Sequence, residues 1–109
     1  MIPYVKLDEV IKEQGKRTGY TLLDERHGCV NGSCCGVSLY TREEYAIPKS
    51  HEDQEGFLVL EGHGRALIDG EELVLEPGVA FMVPAHVPHV VKKDKDCPVC
   101  KVFWFHAAV

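Results

Sequence analysis

The chain reads as an all-β protein, a small antiparallel β-barrel carrying one short N-terminal helix. Three observations predict this. From Thr18 onward, short runs rich in β-branched and aromatic residues alternate with Gly, Pro and Asn at intervals of about eight to twelve residues. That spacing belongs to sandwiches and barrels. Asn31-Gly32 and Asp69-Gly70 supply turn pairs in which both residues tolerate positive φ, the requirement of a tight hairpin. Finally, 109 residues suffice for one core and not for two, so a single domain over 1–109 is expected.

The elements follow in order. Leu7 to Gln14 places Leu7, Val10 and Ile11 at helical spacing, with Asp8 and Glu9 in the first turn and Gly15 as the stop. Asn31-Gly32 should join a strand near Tyr20 to Arg26 with one from Gly36 to Ile47. A strand over Phe57 to Leu60 comes next, then the Asp69-Gly70 hairpin between Arg65 to Ile68 and Glu71 to Leu75. Pro77-Gly78 turns the chain into Val79 to Val83, and Pro84 and Pro88 bracket a tight connection before His89 to Lys92. Lys101 to Ala107 closes the series, with Val102, Trp104 and His106 on one face by the period-two rule. Roughly seven or eight short strands can surround a small cavity. Phe57, Phe81, Phe103, Trp104 and Phe105 are expected mostly in the core, with one or two lining that cavity.

Composition narrows the partners. An apolar fraction of 45% and a charged fraction of 27% are those of an ordinary globular protein. Twelve basic and seventeen acidic residues leave a net charge of -5 with no basic run, so nucleic acid is not an expected partner. Asp8, Glu9 and Glu13 interrupt the start where a signal peptide needs an apolar stretch, and no span is long and apolar enough for a membrane. A cytoplasmic protein without a membrane partner is expected.

Five cysteines, an odd number, argue against a disulfide framework. They form two clusters, Cys29, Cys34 and Cys35, and Cys97 with Cys100. Three readings stay open. The two clusters bind a structural Zn if their loops meet, Cys97 and Cys100 form a reversible disulfide, or all five are reduced thiols without a role.

Three residues carry the candidate chemistry: His51 and Glu55, four residues apart just before a strand, and His89 just after the Pro-bracketed turn. Two imidazoles and one carboxylate suit a first-row divalent ion and leave coordination positions open. The stretch from Pro48 to Gly62 resembles the first motif of the cupin superfamily, G-x5-H-x-H-x3-E-x6-G, with His51, Glu55 and Gly62 in register. The stretch from Gly78 to Lys93 is similar to the second, G-x5-P-x-G-x2-H-x3-N, with Gly78, Pro84 and His89 in register.

The resemblance implies a small RmlC-like jelly roll, or double-stranded β-helix, with a divalent metal (Fe, Mn, Ni or Zn) inside, a small-molecule ligand and a homodimer. It also exposes four departures. Lys49 replaces the first motif His, Glu43 the leading Gly, His86 the Gly of the second motif, and Lys93 its final Asn. The ligand set is therefore short by one. His106 or Lys49 could serve as fourth ligand or substrate contact, with His106 ranked ahead of His86. The alternative is a metal-free barrel in which the same residues hydrogen-bond one another or an organic ligand. Functionally, a metal-dependent enzyme acting on a small polar or carboxylate substrate stands beside a non-catalytic binding module.

Overall fold

A computed structural model describes residues 1–109 as one helix and eight strands. They are α1 (Leu7–Gln14), β1 (Gly19–Leu23), β2 (Cys34–Tyr40), β3 (Glu55–Glu61), β4 (Gly64–Ile68), β5 (Glu71–Leu75), β6 (Ala80–Val83), β7 (His89–Lys93) and β8 (Cys100–His106). The strands form two antiparallel sheets, β1-β2-β8-β3-β6 and β5-β4-β7, in a jelly-roll arrangement rather than one continuous closed ladder. An isolated bridge between Lys49 and His89 adds a contact at the rim.

Alternation along the strands decides what lies inside. Phe57 and Val59 of β3, Ala66 of β4, Leu75 of β5, Val83 of β6, and Cys100 and Val102 of β8 form the buried core. Each fully buried aliphatic side chain among them contributes on the order of 1.5–3 kcal/mol. Along β3 and β8 the partners on the inner face are Val59 with Val102, Phe57 with Trp104, and Glu55 with His106. The same two strands that build the apolar core thus become polar at one end. That end is the candidate site.

The turns follow their residues. Asp69 and Gly70 adopt φ of 50° and 80°, the two-residue hairpin expected of them. Asn31 and Gly32 are also left-handed, at 54° and 82°, but the connection from β1 to β2 is longer than a simple hairpin. Asp24 caps a 3-10 turn over Glu25–His27 by accepting from the Arg26 backbone N–H, which removes Glu25 and Arg26 from β1. Strand β2 stops at Tyr40, well short of Ile47, because Thr41 to Glu44 offers no apolar alternation and the segment crosses the cavity mouth instead. Gly62, the closing residue of the first motif, has φ 78° and lies so close to the Val99 carbonyl that a Cβ would collide with it.

Outside the five-stranded sheet, α1 buries Val10, and Ile11 shares a cavity wall with Tyr20, Val37 and Leu39. The Tyr20 hydroxyl donates to the Gly15 carbonyl at 2.7 Å and accepts from the Arg17 N–H at 2.8 Å, pinning the chain just after the helix. No helix is long and apolar enough to cross a membrane.

Candidate metal centre

Four elements bring the site together. Glu55 opens β3, His106 ends β8 directly opposite it, His89 opens β7, and His51 sits in the loop before β3. The His51 carbonyl accepts from the His86 N–H at 2.7 Å, which ties the two motif segments to each other. His86 holds φ of 66°, so it keeps the left-handed backbone of the pattern's glycine while its side chain is exposed.

Three imidazole Nε2 atoms face one carboxylate. His51 Nε2 lies 3.0 Å and His89 Nε2 3.3 Å from Glu55 Oε1, and His106 Nε2 lies 3.4 Å from Glu55 Oε2. The opposite nitrogens settle the tautomers. His89 Nδ1 meets the Val87 carbonyl at 2.9 Å, and His106 Nδ1 meets Asp53 Oδ2 at 2.8 Å. His51 Nδ1 meets both the Asp53 carbonyl at 2.9 Å and Asp53 Oδ1 at 2.7 Å. Every one of these partners is an acceptor, so each Nδ1 carries the proton and donates. The three Nε2 lone pairs therefore point at carboxylate oxygens, and only protons or a cation between them can make the arrangement favourable. Three nitrogens and a carboxylate suit a first-row divalent ion.

The electrostatics agree with shared positive charge. The hydrogen bond with Glu55 raises the pKa of His89 above the ordinary imidazole range, with burial pulling the other way. Burial alone would raise Asp53, but its hydrogen bond from His106 and the neighbouring imidazoles bring it below the usual carboxylate value.

The centre opens onto a cavity of about 640 Å³ whose walls include Ser38, Tyr40, Arg42, Lys49 and Phe57. Phe57 and Phe81 stack with centroids 4.6 Å apart and planes 11° from parallel, so the apolar wall next to the imidazoles is rigid. Burial pushes the Tyr40 phenol up to about 12. Tyr40, Arg42 and Asp53 were not singled out in the sequence. Asp53 was signalled only by its place between His51 and Glu55.

The family model of the cupin domain matches residues 37–106. The chain belongs to the cupin family. Solved structures share its fold. FeII HppE in complex with substrate superposes with a TM-score of 0.71 at 20% identity, covering 82% of this chain and 52% of that one. A salicylate 1,2-dioxygenase variant from Pseudoaminobacter salicylatoxidans gives 0.69 at 19% identity, covering 90% and 31%. A cupin superfamily protein from Desulfitobacterium hafniense gives 0.68 at 16%, covering 84% and 76%. This cupin spans about half the length of the HppE chain. No curated protein sequence matches it.

Against the cupin pattern, two of the departures answer each other. Lys93, in place of the Asn, is buried, and its Nζ lies 3.4 Å from Oε1 of Glu43, which stands in place of the leading Gly. Lys93 also donates to the Asp94 carbonyl at 3.2 Å. Lys49 exchanges both backbone hydrogen bonds with His89, at 3.1 and 2.9 Å, and its exposed side chain contributes to the cavity wall.

The cysteines do not assemble a four-thiolate site. Cys34 and Cys35 pair with His106 and Phe105 at one end of β8, while Cys100 pairs with Tyr40 at the other. Six strand steps separate the two ends, about 20 Å at ~3.3 Å per residue. The two loops therefore do not meet. All five are free thiols. Burial pushes Cys100 up to about 11, which makes it a poor thiolate donor or redox partner for Cys97. Cys97 Sγ instead donates to the His63 carbonyl at 3.2 Å and groups with exposed His63 and Asp96. Cys35 points to the opposite face of β2, whereas Cys34 pairs across from His106, its thiol raised by burial.

Proposed function

We propose that this cupin holds a divalent first-row metal through His51, Glu55 and His89 and acts on a small carboxylate or similar anion bound in the cavity. The observation that carries the reading is the set of Nε2 lone pairs converging on Glu55, with every Nδ1 proton committed to an outward acceptor. The iron in one structural neighbour's name and the aromatic acid in another's are in keeping with it. When bound, the metal would supply Lewis-acid polarisation of a coordinated substrate oxygen, and with Fe(II) a site for dioxygen chemistry.

The chain's own groups do the rest. Lys49 and Arg42 place positive charge on the wall above the centre, which favours an anion over a neutral molecule. Phe57, stacked on Phe81, limits water on the imidazole side. Tyr40 keeps its proton through the neutral range and offers a hydrogen-bond donor to a substrate oxygen. The test is elemental analysis of the purified protein, then reconstitution with Fe(II), Mn, Ni and Zn and a turnover screen against small carboxylates and diketones. Near-stoichiometric metal and activity lost in His51→Ala are expected. Failure of all four ions to bind would refute the reading.

A binding module without turnover is the second reading. Outside the central cluster the cavity wall carries Tyr40, whose phenol is pushed up to about 12 and does not exchange a proton readily near neutral pH. The same screen separates the two, since a module binds the carboxylate with no product.

We also infer a homodimer through the outer face of the five-stranded sheet. Leu58, Leu60, Met82 and Phe105 are exposed there on the adjacent strands β3, β6 and β8. Apolar exposure of this kind is what an obligate partner covers.

A further inference from the structure

Neither cupin motif accounts for Asp53, yet it is the residue that connects two of the imidazoles. Its carboxylate is divided between them, with Oδ1 2.7 Å from His51 Nδ1 and Oδ2 2.8 Å from His106 Nδ1. Asp53 and His106 are 53 residues apart in sequence, and the junction is reinforced by the Ala107 N–H donating to the Gln54 carbonyl at 3.0 Å. The loop before β3 and the end of β8 are thereby locked together at the rim of the centre.

We propose that Asp53 is a positioning residue that recruits His106 as the fourth donor of the centre, in the place of the imidazole that position 49 lacks. The inference rests on the metal reading of the site. A carboxylate that accepts two N–H donors fixes both tautomers at once and sets the direction of both Nε2 lone pairs. The rings of His51 and His106 stand with centroids 4.9 Å apart and planes tilted by 46°, and their Nε2 atoms reach different oxygens of Glu55. The two Nε2 atoms thus approach Glu55 from different sides, while the donors lying within 4.8 Å of one another around it are those of His51, Glu55 and His89. In the ordinary cupin arrangement the corresponding imidazole comes from the strand segment carrying Lys49, whereas here it comes from the last strand. Asp53, His51 and His106 could also be imagined as a ligand set of their own through the Nδ1 atoms. His51 Nδ1 excludes this, because it already donates to the Asp53 backbone carbonyl at 2.9 Å and has no lone pair to offer.

Asp53→Asn distinguishes positioning from mere structure, because the amide has one acceptor oxygen and presents a donor to the second imidazole. The measurements are Co(II) titration followed by visible absorption, ring-nitrogen NMR of the histidines in the metal-free protein, and thermal melting. Asp53→Asn is expected to weaken Co(II) binding by about 10–100-fold, change the Co(II) spectrum and disturb the Nδ1–H tautomer of His106, beyond the modest fall in the metal-free melting temperature that loosening the junction produces. His106→Ala should cost a similar factor, and adding Asp53→Asn to it should cost little more. Wild-type Co(II) affinity in either variant would overturn the role given to Asp53. A wild-type protein that binds no Co(II) would instead bring down the metal reading, and this inference with it.

Discussion

At Lys49 a cation stands where the cupin pattern has a ligand, and in the proposed reading this one exchange bears on both the metal and the substrate. The bridge to His89 puts its side chain on the cavity wall. Its charge opposes a divalent ion and favours an anionic substrate, an effect that solvent at the exposed side chain screens in part. Lys49→Met should therefore tighten metal binding by about tenfold and weaken binding of a small carboxylate, both measurable by calorimetry. Unchanged metal affinity would mean that solvent screens the ammonium completely.

His89 gives the centre a pH dependence of definite sign. Its folded pKa lies above the unfolded value because Glu55 favours the imidazolium. In the metal-free protein that contribution to stability is fully present below about pH 6.5 and is lost as pH rises through the folded pKa. The metal-loaded protein should show the reverse trend, since ligation requires the proton to leave. Melting temperatures of both forms from pH 5.5 to pH 8.5 check this. At this scale, the meeting of His51, Glu55 and His89 was legible because residue types at motif spacing are local information, whereas their role as ligands stays a proposal. Asp53 was not, because its meaning depends on a partner 53 residues away.

Among the elements, the segment between β2 and β3 is held to β7 by two substitutions that only make sense together. Lys93 is buried and Glu43 is about half exposed, so the carboxylate partly compensates an ammonium that would otherwise lose its hydration. Glu43→Ala should cost about 1 kcal/mol, reduced from a fully buried pair by solvent at Glu43. Glu43→Gly with Lys93→Asn, which restores the common pattern, should cost less than the two single changes added, as a double-mutant cycle by chemical denaturation would show. Most element boundaries were readable, α1 and β5 to the residue, because periodicity and turn pairs act within a few residues. The end of β2 and the 3-10 turn after β1 were not, since both depend on side chains capping or crossing something elsewhere in the fold. The proposed meeting of the cysteine loops failed for the same reason: spacing within a cluster says nothing about the distance between clusters.

For the whole molecule, the jelly roll places one sheet's inner face between an apolar core and a polar centre and leaves its outer face bearing Leu58, Leu60, Met82 and Phe105. If that face joins two copies, Leu58→Glu should shift the sedimentation coefficient from dimer to monomer while leaving Co(II) affinity unchanged. A wild-type protein that sediments as a monomer would remove the proposed interface.

The pairing of Glu55 with His106 also bears on how the chain finds its native state. A slip of one residue between β3 and β8 would send His106, Trp104 and Val102 to the outer face and bring Phe105, Phe103 and Lys101 inward. Only the correctly aligned strands complete the ring of donors. The polar cluster and the apolar core thus check the same strand alignment, because the register that buries Val102 is also the one that brings His106 to Glu55.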